Sequence, residues 1–323
     1  MNWKKLGVIY NPTLEVNRPN ERWNFAQGEN VLIFENFVRV YFCSREKPDV
    51  GGKTRSRVFF IDLDRFDLKK NIQVSSKPIL ELGEIGTFDE FGMYPFCPIR
   101  VNDLVYGYYG GATRCESVPF NIAIGCAISK DNGISFSKLG KGPVLSYSWD
   151  EPFVVCSPKV RFFNDTYYMF YSAGRKWTKT TNRPEICYKL RMAKSKDGIN
   201  WEKLHMDILP DRIGQDEAQA CGDVIFKNGK YHMFFCYRGN LDFRNNKENS
   251  YRIGYAYSLD LLNWIRHDEN AGIDVSNNEN DFDNEMVAYP NVFELDGKIF
   301  MLYLGNEVGK YGFGLAEMEG ELL

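Results

Sequence analysis

At 323 residues, with 44% hydrophobic and 26% charged side chains, the chain has the balance of a globular protein and length enough to bury a large core. A net charge of -3 gives no electrostatic footprint for nucleic acid or an anionic membrane surface. No run of 18 apolar residues occurs, so membrane insertion is not expected either.

In chain order, the N-terminus carries an apolar run of only about four residues, too short for a secretory h-region, within a strand expected at residues 6–10. Residues 25–80 form a first unit with central strands Val38–Cys43 and Val58–Asp62. Two motifs then recur in step. The first is an acidic pair before an extended strand: Phe88-Asp89-Glu90, Trp149-Asp150-Glu151, Gln215-Asp216-Glu217 and Phe282-Asp283-Asn284-Glu285, beginning 61, 66 and 67 residues apart. The second is a strand ending in Ala-x-Ser, a turn, and an aromatic. Its serines are Ser129, Ser195 and Ser258, its aromatics Phe136, Trp201 and Trp264.

Within each unit the hairpin signals are local. Val160–Phe163 and Tyr167–Ser172 flank Asn164-Asp165; Val224–Phe226 and Tyr231–Cys236 flank a Lys-Asn-Gly turn; Val292–Leu295 and Ile299–Tyr303 flank Asp296-Gly297. Asn-Gly and Asp-Gly supply the positive φ that two-residue hairpins need. Four strands repeating every 60 to 67 residues predict an all-β, five-bladed β-propeller, one domain spanning 1–323 with four antiparallel strands per blade. The fifth unit stops after its third strand, Gly312–Glu317, so residues 6–10 are expected to supply the missing outer strand and close the ring. The polar stretches 46–56 and 240–250 are read as hairpin loops. The eight cysteines are scattered, with no Cys-x-x-Cys, and several lie in apolar strand runs; buried free thiols and a cytoplasmic location are expected.

Gly86–Gly92, Ala123–Ser129, Tyr171–Gly174, Tyr251–Ala256, Glu285–Pro290 and Gly312–Ala316 resemble the five-bladed propeller superfamily of arabinanases, β-xylosidases, levansucrases and invertases. More closely, they look like a glycosidase-like branch encountered beside bacterial surface-polysaccharide genes. The resemblance covers nearly the whole chain. It implies an aspartate before the innermost strand of blade one, another in blade two and a glutamate in blade three. Here the pre-strand positions read Gly28, Cys97-Pro98, Ser157-Pro158, Gly222 and Tyr289-Pro290, and blade one has only Glu29 nearby.

Glycosidic cleavage usually uses two carboxyl groups, one protonated for the leaving oxygen and one ionised as base or nucleophile. If each blade delivers its acidic pair to one end of the axis, Asp89, Glu90, Asp150, Glu151, Asp216, Glu217, Asp283 and Glu285 border one cavity. Glu217 and Glu285 are the preferred acid and base, with Glu151 and Asp89 next, and Asp150 and Asp283 as substrate contacts. The alternative is that each pair caps a turn or ties backbone. Arg45, Arg114, Arg175 and Arg238 end second strands and are expected at the same face, holding a ligand's carboxylate or phosphate or pairing with the acids. Trp177, Tyr94 and Tyr289 are candidates to stack on a sugar ring.

The three histidines lie in unrelated contexts, no His/Cys cluster has zinc spacing, and there is no glycine-rich phosphate loop. No triad, metal or cofactor is therefore expected. Two functions remain. One is a glycosidase-like enzyme, hydrolytic or phosphorolytic, acting on a bacterial glycan or its precursor. The other is a non-catalytic propeller that binds a saccharide or nucleotide-sugar beside biosynthetic enzymes.

Overall fold

The computed structural model describes residues 1–322. Its strands pair into five antiparallel four-stranded sheets arranged as blades in a ring. Strand β1 (Asn2–Tyr10) precedes blade 1, which holds β2 (Asn24–Ile33), β3 (Phe37–Arg45), β4 (Ser56–Asp64) and β5 (Asn71–Val74). Blade 2 holds β6 (Met93–Val101), β7 (Leu104–Thr113), β8 (Asn121–Ser129) and β9 (Ser137–Lys138). Blade 3 holds β10 (Val155–Phe163), β11 (Thr166–Thr178), β12 (Glu185–Ser195) and β13 (Glu202–Asp207). Blade 4 holds β14 (Ala218–Lys227), β15 (Lys230–Arg238), β16 (Arg252–Ser258) and β17 (Ile265–Arg266). Blade 5 is completed from both chain ends: β18 (Ala288–Leu295), β19 (Lys298–Leu304) and β20 (Phe313–Glu319), with β1 outermost.

The closing strand begins earlier than residue 6. It pairs antiparallel with β20 from Asn2↔Glu319 to Tyr10↔Phe313, and Trp3 is buried with its indole N–H donating to Ala271 O at 2.9 Å. That contact also ties blade 5 to blade 4.

The recurring serines have a local physical cause. Ser129, Ser195 and Ser258 donate to Asp131, Asp197 and Asp260 at 2.6, 3.0 and 3.0 Å, and each hydroxyl accepts a backbone N–H from the following turn. The aromatic after each turn then packs backwards onto the preceding blade. Phe136 meets Tyr41, Trp201 meets Tyr108 and Trp264 meets Phe170, edge-on at 6.0, 5.7 and 5.9 Å between ring centres. The period in the sequence is thus the period of blade-to-blade packing.

Every innermost strand carries a bulge at the same level, between Gln27 and Asn30, Met93 and Phe96, Cys156 and Lys159, Ala220 and Asp223, and Ala288 and Asn291. The leading bulge residues Gly28, Ser157, Cys221 and Tyr289 have φ between 53° and 64°, and blade 2 has a cis Tyr94-Pro95 peptide there. This corrects the pre-strand positions expected in two blades: blade 2 uses Tyr94-Pro95 rather than Cys97-Pro98, and blade 4 uses Cys221-Gly222.

Just past the bulges the axis is crossed by polar side chains. Lys159 Nζ donates to Asn30 Oδ1 at 2.6 Å, although blades 3 and 1 are not neighbours in the ring, so this bond spans the centre. Asn291 Nδ2 and Val292 N donate to Asp223 Oδ2 at 2.8 and 2.7 Å, Asn291 Oδ1 accepts from Val31 N at 3.1 Å, and Arg161 pairs with Asp223. All eight cysteines are free, seven of them buried and Cys115 exposed. Among the described residues no helix is long and apolar enough to cross a membrane.

Candidate functional site at the axial end of the blades

The acidic repeat is not an axial ring. Asp89, Glu151, Glu217 and Asp283 are each buried, and each is satisfied inside its own blade. Asp89 accepts from Tyr109 Oη at 3.0 Å and pairs with Lys138 at 2.6 Å. Glu151 accepts from Tyr171 Oη at 2.7 Å and Arg191 at 3.0 Å, and pairs with Lys203. Asp283 accepts from Tyr303 Oη at 3.0 Å and pairs with Lys5 at 2.7 Å. In blade 4 the tyrosine position is Phe235, and Glu217 is held by Arg266 at 2.6 Å, by Gln219 at 2.8 Å and by the backbone N–H groups of Arg212 and Ile213. Lys138, Lys203, Arg266 and Lys5 all lie on the outermost strands β9, β13, β17 and β1. Asp89, Glu151 and Asp283 therefore clamp the incoming connection to the second and fourth strands of one blade, and Glu217 clamps it to the first and fourth. Burial works against the charge on Glu217, yet the Arg266 hydrogen bond and charge hold its carboxyl below the usual range.

The expectation that these acids share a cavity fails on that geometry. Glu217 borders a depression with Lys176, Asp216 and Asn240, whereas Asp89 borders another with Leu80, Thr87 and Lys138. Glu285 is exposed and held through its backbone, its N–H donating to Asn306 Oδ1 at 2.9 Å and its carbonyl accepting from Arg252 at 3.1 Å. Asp216 is exposed and paired with Lys176 at 2.5 Å, and Glu90 accepts from Gly86 N at 2.8 Å. Asp150 faces Arg191 at 2.6 Å and His205 at 2.9 Å; against the upward push of burial, these and Ser148 hold its carboxyl below the ordinary value.

The arginines divide. Arg175 is neutralised by Asp207 and donates to Asp150 O at 3.1 Å, so it belongs to the blade 3 clamp rather than the axis. Arg114 lies 4.6 Å over the Phe91 ring. Arg238, only 2% exposed, sits 3.6 Å over Phe243 and donates to the carbonyls of Gly239 and Ile186 and to Tyr188 Oη, with no carboxylate partner. Arg45 lies 3.8 Å over Phe25 and makes no ion pair among the described residues.

What converges on the axis is aromatic. Tyr94 and Tyr289 lie 5.7 Å apart, Tyr251 is 6.0 Å from Tyr289, and Tyr188 Oη meets Tyr251 Oη at 2.8 Å, so blades 2 to 5 each contribute a tyrosine. Trp177, edge-on to Phe120 at 5.6 Å, packs against the same cluster. Of the three stacking candidates, Tyr94 and Tyr289 are thus brought together.

Glu29, read from the sequence only as an acid near the innermost strand of blade 1, stands apart from the repeat acids. It follows Gly28, where a Cβ would stand 2.4 Å from Pro95 Cβ, so the leading bulge position of blade 1 cannot carry a side chain. Glu29 is fully buried, and neither carboxyl oxygen has a hydrogen-bond partner. Of the buried carboxylates among the described residues it alone stands so. Burial pushes its pKa up to about 8, its own backbone amide and the Lys159 ammonium offsetting only part of that. The one sequence signal was that it is the only acid beside the innermost strand of blade 1.

A family model described as the glycosyl hydrolases family 32 N-terminal domain matches residues 157–313. Uncharacterized protein Rv1502 of Mycobacterium tuberculosis (strain ATCC 25618 / H37Rv) is 34% identical over 320 residues, 99% of this chain and 100% of that protein. Beta-1,2-mannobiose phosphorylase of Thermoanaerobacter sp. (strain X514) is 29% identical over 141 residues, 41% of this chain and 45% of that protein. A solved structure described as a glycoside hydrolase shares the fold with a TM-score of 0.74 at 16% identity, over 98% of this chain and 93% of that one.

Proposed function

We propose that this chain, which belongs to the family of Mycobacterium tuberculosis Rv1502 among the five-bladed propellers of glycoside-hydrolase type, is a glycosidase-type enzyme with Glu29 as its proton donor. The observation that carries the reading is the unpartnered, fully buried carboxyl of Glu29 among axial tyrosines. A carboxyl that keeps its proton to about pH 8 can donate to a departing glycosidic oxygen at neutral pH, where an ordinary glutamate has already lost it. Tyr94, Tyr289 and Trp177 supply ring faces for the sugar. The substrate class is a glycan or glycan precursor, and the buried free thiols support a reducing, cytoplasmic setting.

A phosphorolytic variant has its own support. With Asp89, Glu151, Glu217 and Asp283 committed to clamps, none of these four acids is free to act as nucleophile, and an external phosphate would serve in that place. The mannobiose phosphorylase likeness leans the same way.

The test is sugar release from β-1,2-mannobiose and a panel of xylo-, arabino- and fructo-oligosaccharides, with and without inorganic phosphate. Glu29→Gln is expected to lower turnover by about 10²- to 10⁴-fold while ligand binding persists. Unchanged turnover in that variant ends the acid assignment. Saccharide binding without turnover by the wild type would establish the non-catalytic binder instead.

A further inference from the structure

Four arginines from three blades gather at the mouth of this axial site. Arg45 ends β3 in blade 1, Arg183 lies in the loop between β11 and β12 in blade 3, and Arg238 and Arg244 flank the start of the β15–β16 loop in blade 4. These connections all lie at the end of the ring where the innermost strands begin. Arg183 and Arg244 both reach Glu185, and Arg45 feels the charges of both although blade 1 adjoins neither of their blades.

The group is short of counter-ions. Among the described residues Glu185 is the one carboxylate that pairs with any of the four, at 3.3 Å from Arg183 and 3.2 Å from Arg244. Arg45 has none, and the buried Arg238 relies on carbonyl oxygens and aromatic faces, its Nε unpartnered. Glu29 beneath them keeps its proton and cancels nothing. Three positive charges therefore stand uncompensated around one opening. Gathering like charges without a partner costs stability, unless a ligand of opposite sign is what they were arranged to meet. These charges come from blades 1, 3 and 4, so two linked phosphoryl groups, each bearing one charge, can meet more of them than one compact carboxylate or phosphate can, and guanidinium forks match phosphoryl oxygens bidentately.

We infer that the mouth holds the diphosphate of an activated sugar, presenting the glycosyl unit to the tyrosines and Glu29 below. This rests on the axial reading of the site and names its substrate class. The diphosphate could be joined to a nucleoside or to a prenyl lipid, and Phe120 with Trp177 offers an aromatic wall for either.

Titration calorimetry on the full chain separates the cases, with GDP-mannose, geranyl diphosphate mannose, mannose 1-phosphate, inorganic phosphate, glucuronate and mannose as probes. At least one of the two diphosphate sugars is expected to bind about ten- to a hundredfold tighter than mannose 1-phosphate, and the preferred one identifies the source. Arg45→Met, at a side chain with no ion pair to lose, is expected to weaken that binding by a similar factor, with Arg45→Lys in between. Arg183→Ser, on an exposed loop, gives a second reading if Arg45→Met does not fold. Equal affinity for mannose 1-phosphate, inorganic phosphate, glucuronate or mannose overturns the inference, as does unaltered binding in both arginine variants. Glu29→Gln is expected to bind the diphosphate sugar as the wild type does, so a failed acid assignment would leave this result standing, and the reverse holds too.

Discussion

Two kinds of buried carboxyl group share this chain, and their environments give them opposite fates. Asp89, Glu151, Glu217 and Asp283 are each met by a cation from the outermost strand and by a hydroxyl or amide. Removing one partner of such a pair strands the other, at about 3 to 5 kcal/mol. Thermal unfolding of Asp89→Asn and Glu151→Gln is expected to show that loss with any activity of the folded fraction retained. A variant as stable as the wild type would mean that the clamp is not structural. Glu29 has the reverse signature. Its pKa is about 8 in the fold against an ordinary 4.5, so between these values the unfolded chain holds fewer protons than the native one. Stability therefore falls as pH rises across that window, by about 1.4 kcal/mol per pH unit. Glu29→Gln should flatten the slope and be more stable than the wild type near pH 8. Urea unfolding from about pH 5 to about pH 8 checks this, and parallel curves for the two proteins would refute it.

At the scale of elements, β1 carries more than its length suggests. It is the outer strand of blade 5, it supplies Lys5 to the Asp283 clamp, and through Trp3 it reaches the blade 4 backbone at Ala271 and Gly272. Deleting residues 1–10 leaves β20 with an unpaired edge and Asp283 with a buried, uncompensated charge. Light scattering and calorimetry on the truncated chain are expected to show aggregation or a large fall in melting temperature. An unchanged melting temperature would contradict the closure. Blade identity itself is built from short-range chemistry: the Ser-x-Asp turn and the aromatic that follows it repeat because each blade must end its third strand and pack on the blade before it in the same way.

For the whole molecule, the ring is held at its centre as well as at its seam. Lys159, Asn30, Asn291 and Asp223 join blades 3, 1, 5 and 4 through hydrogen bonds inside the axis. Asp223→Asn removes the charge that Arg161 faces and one acceptor that blade 5 uses, at a cost of about 3 to 5 kcal/mol. Because the network touches four blades, calorimetry should show one transition moved to lower temperature. Two separated transitions would mean that arcs of the ring unfold independently.

The period, the blade count and the closing strand were legible in the sequence, because turns, alternating strands and hairpins are decided by residues within a few positions of one another. The tertiary structure decided where the acids go. Asp89, Glu151, Glu217 and Asp283 read as a functional ring only while their partners are unknown, and those partners lie on outermost strands far along the chain, or at its opposite end for Lys5. Likewise nothing local distinguishes Glu29 from an ordinary glutamate. It becomes a buried, unpartnered carboxyl among the described residues through the bulge at its position in the innermost strand and the fold packed around it, and burial by distant parts of the chain has no signature in the residues beside it.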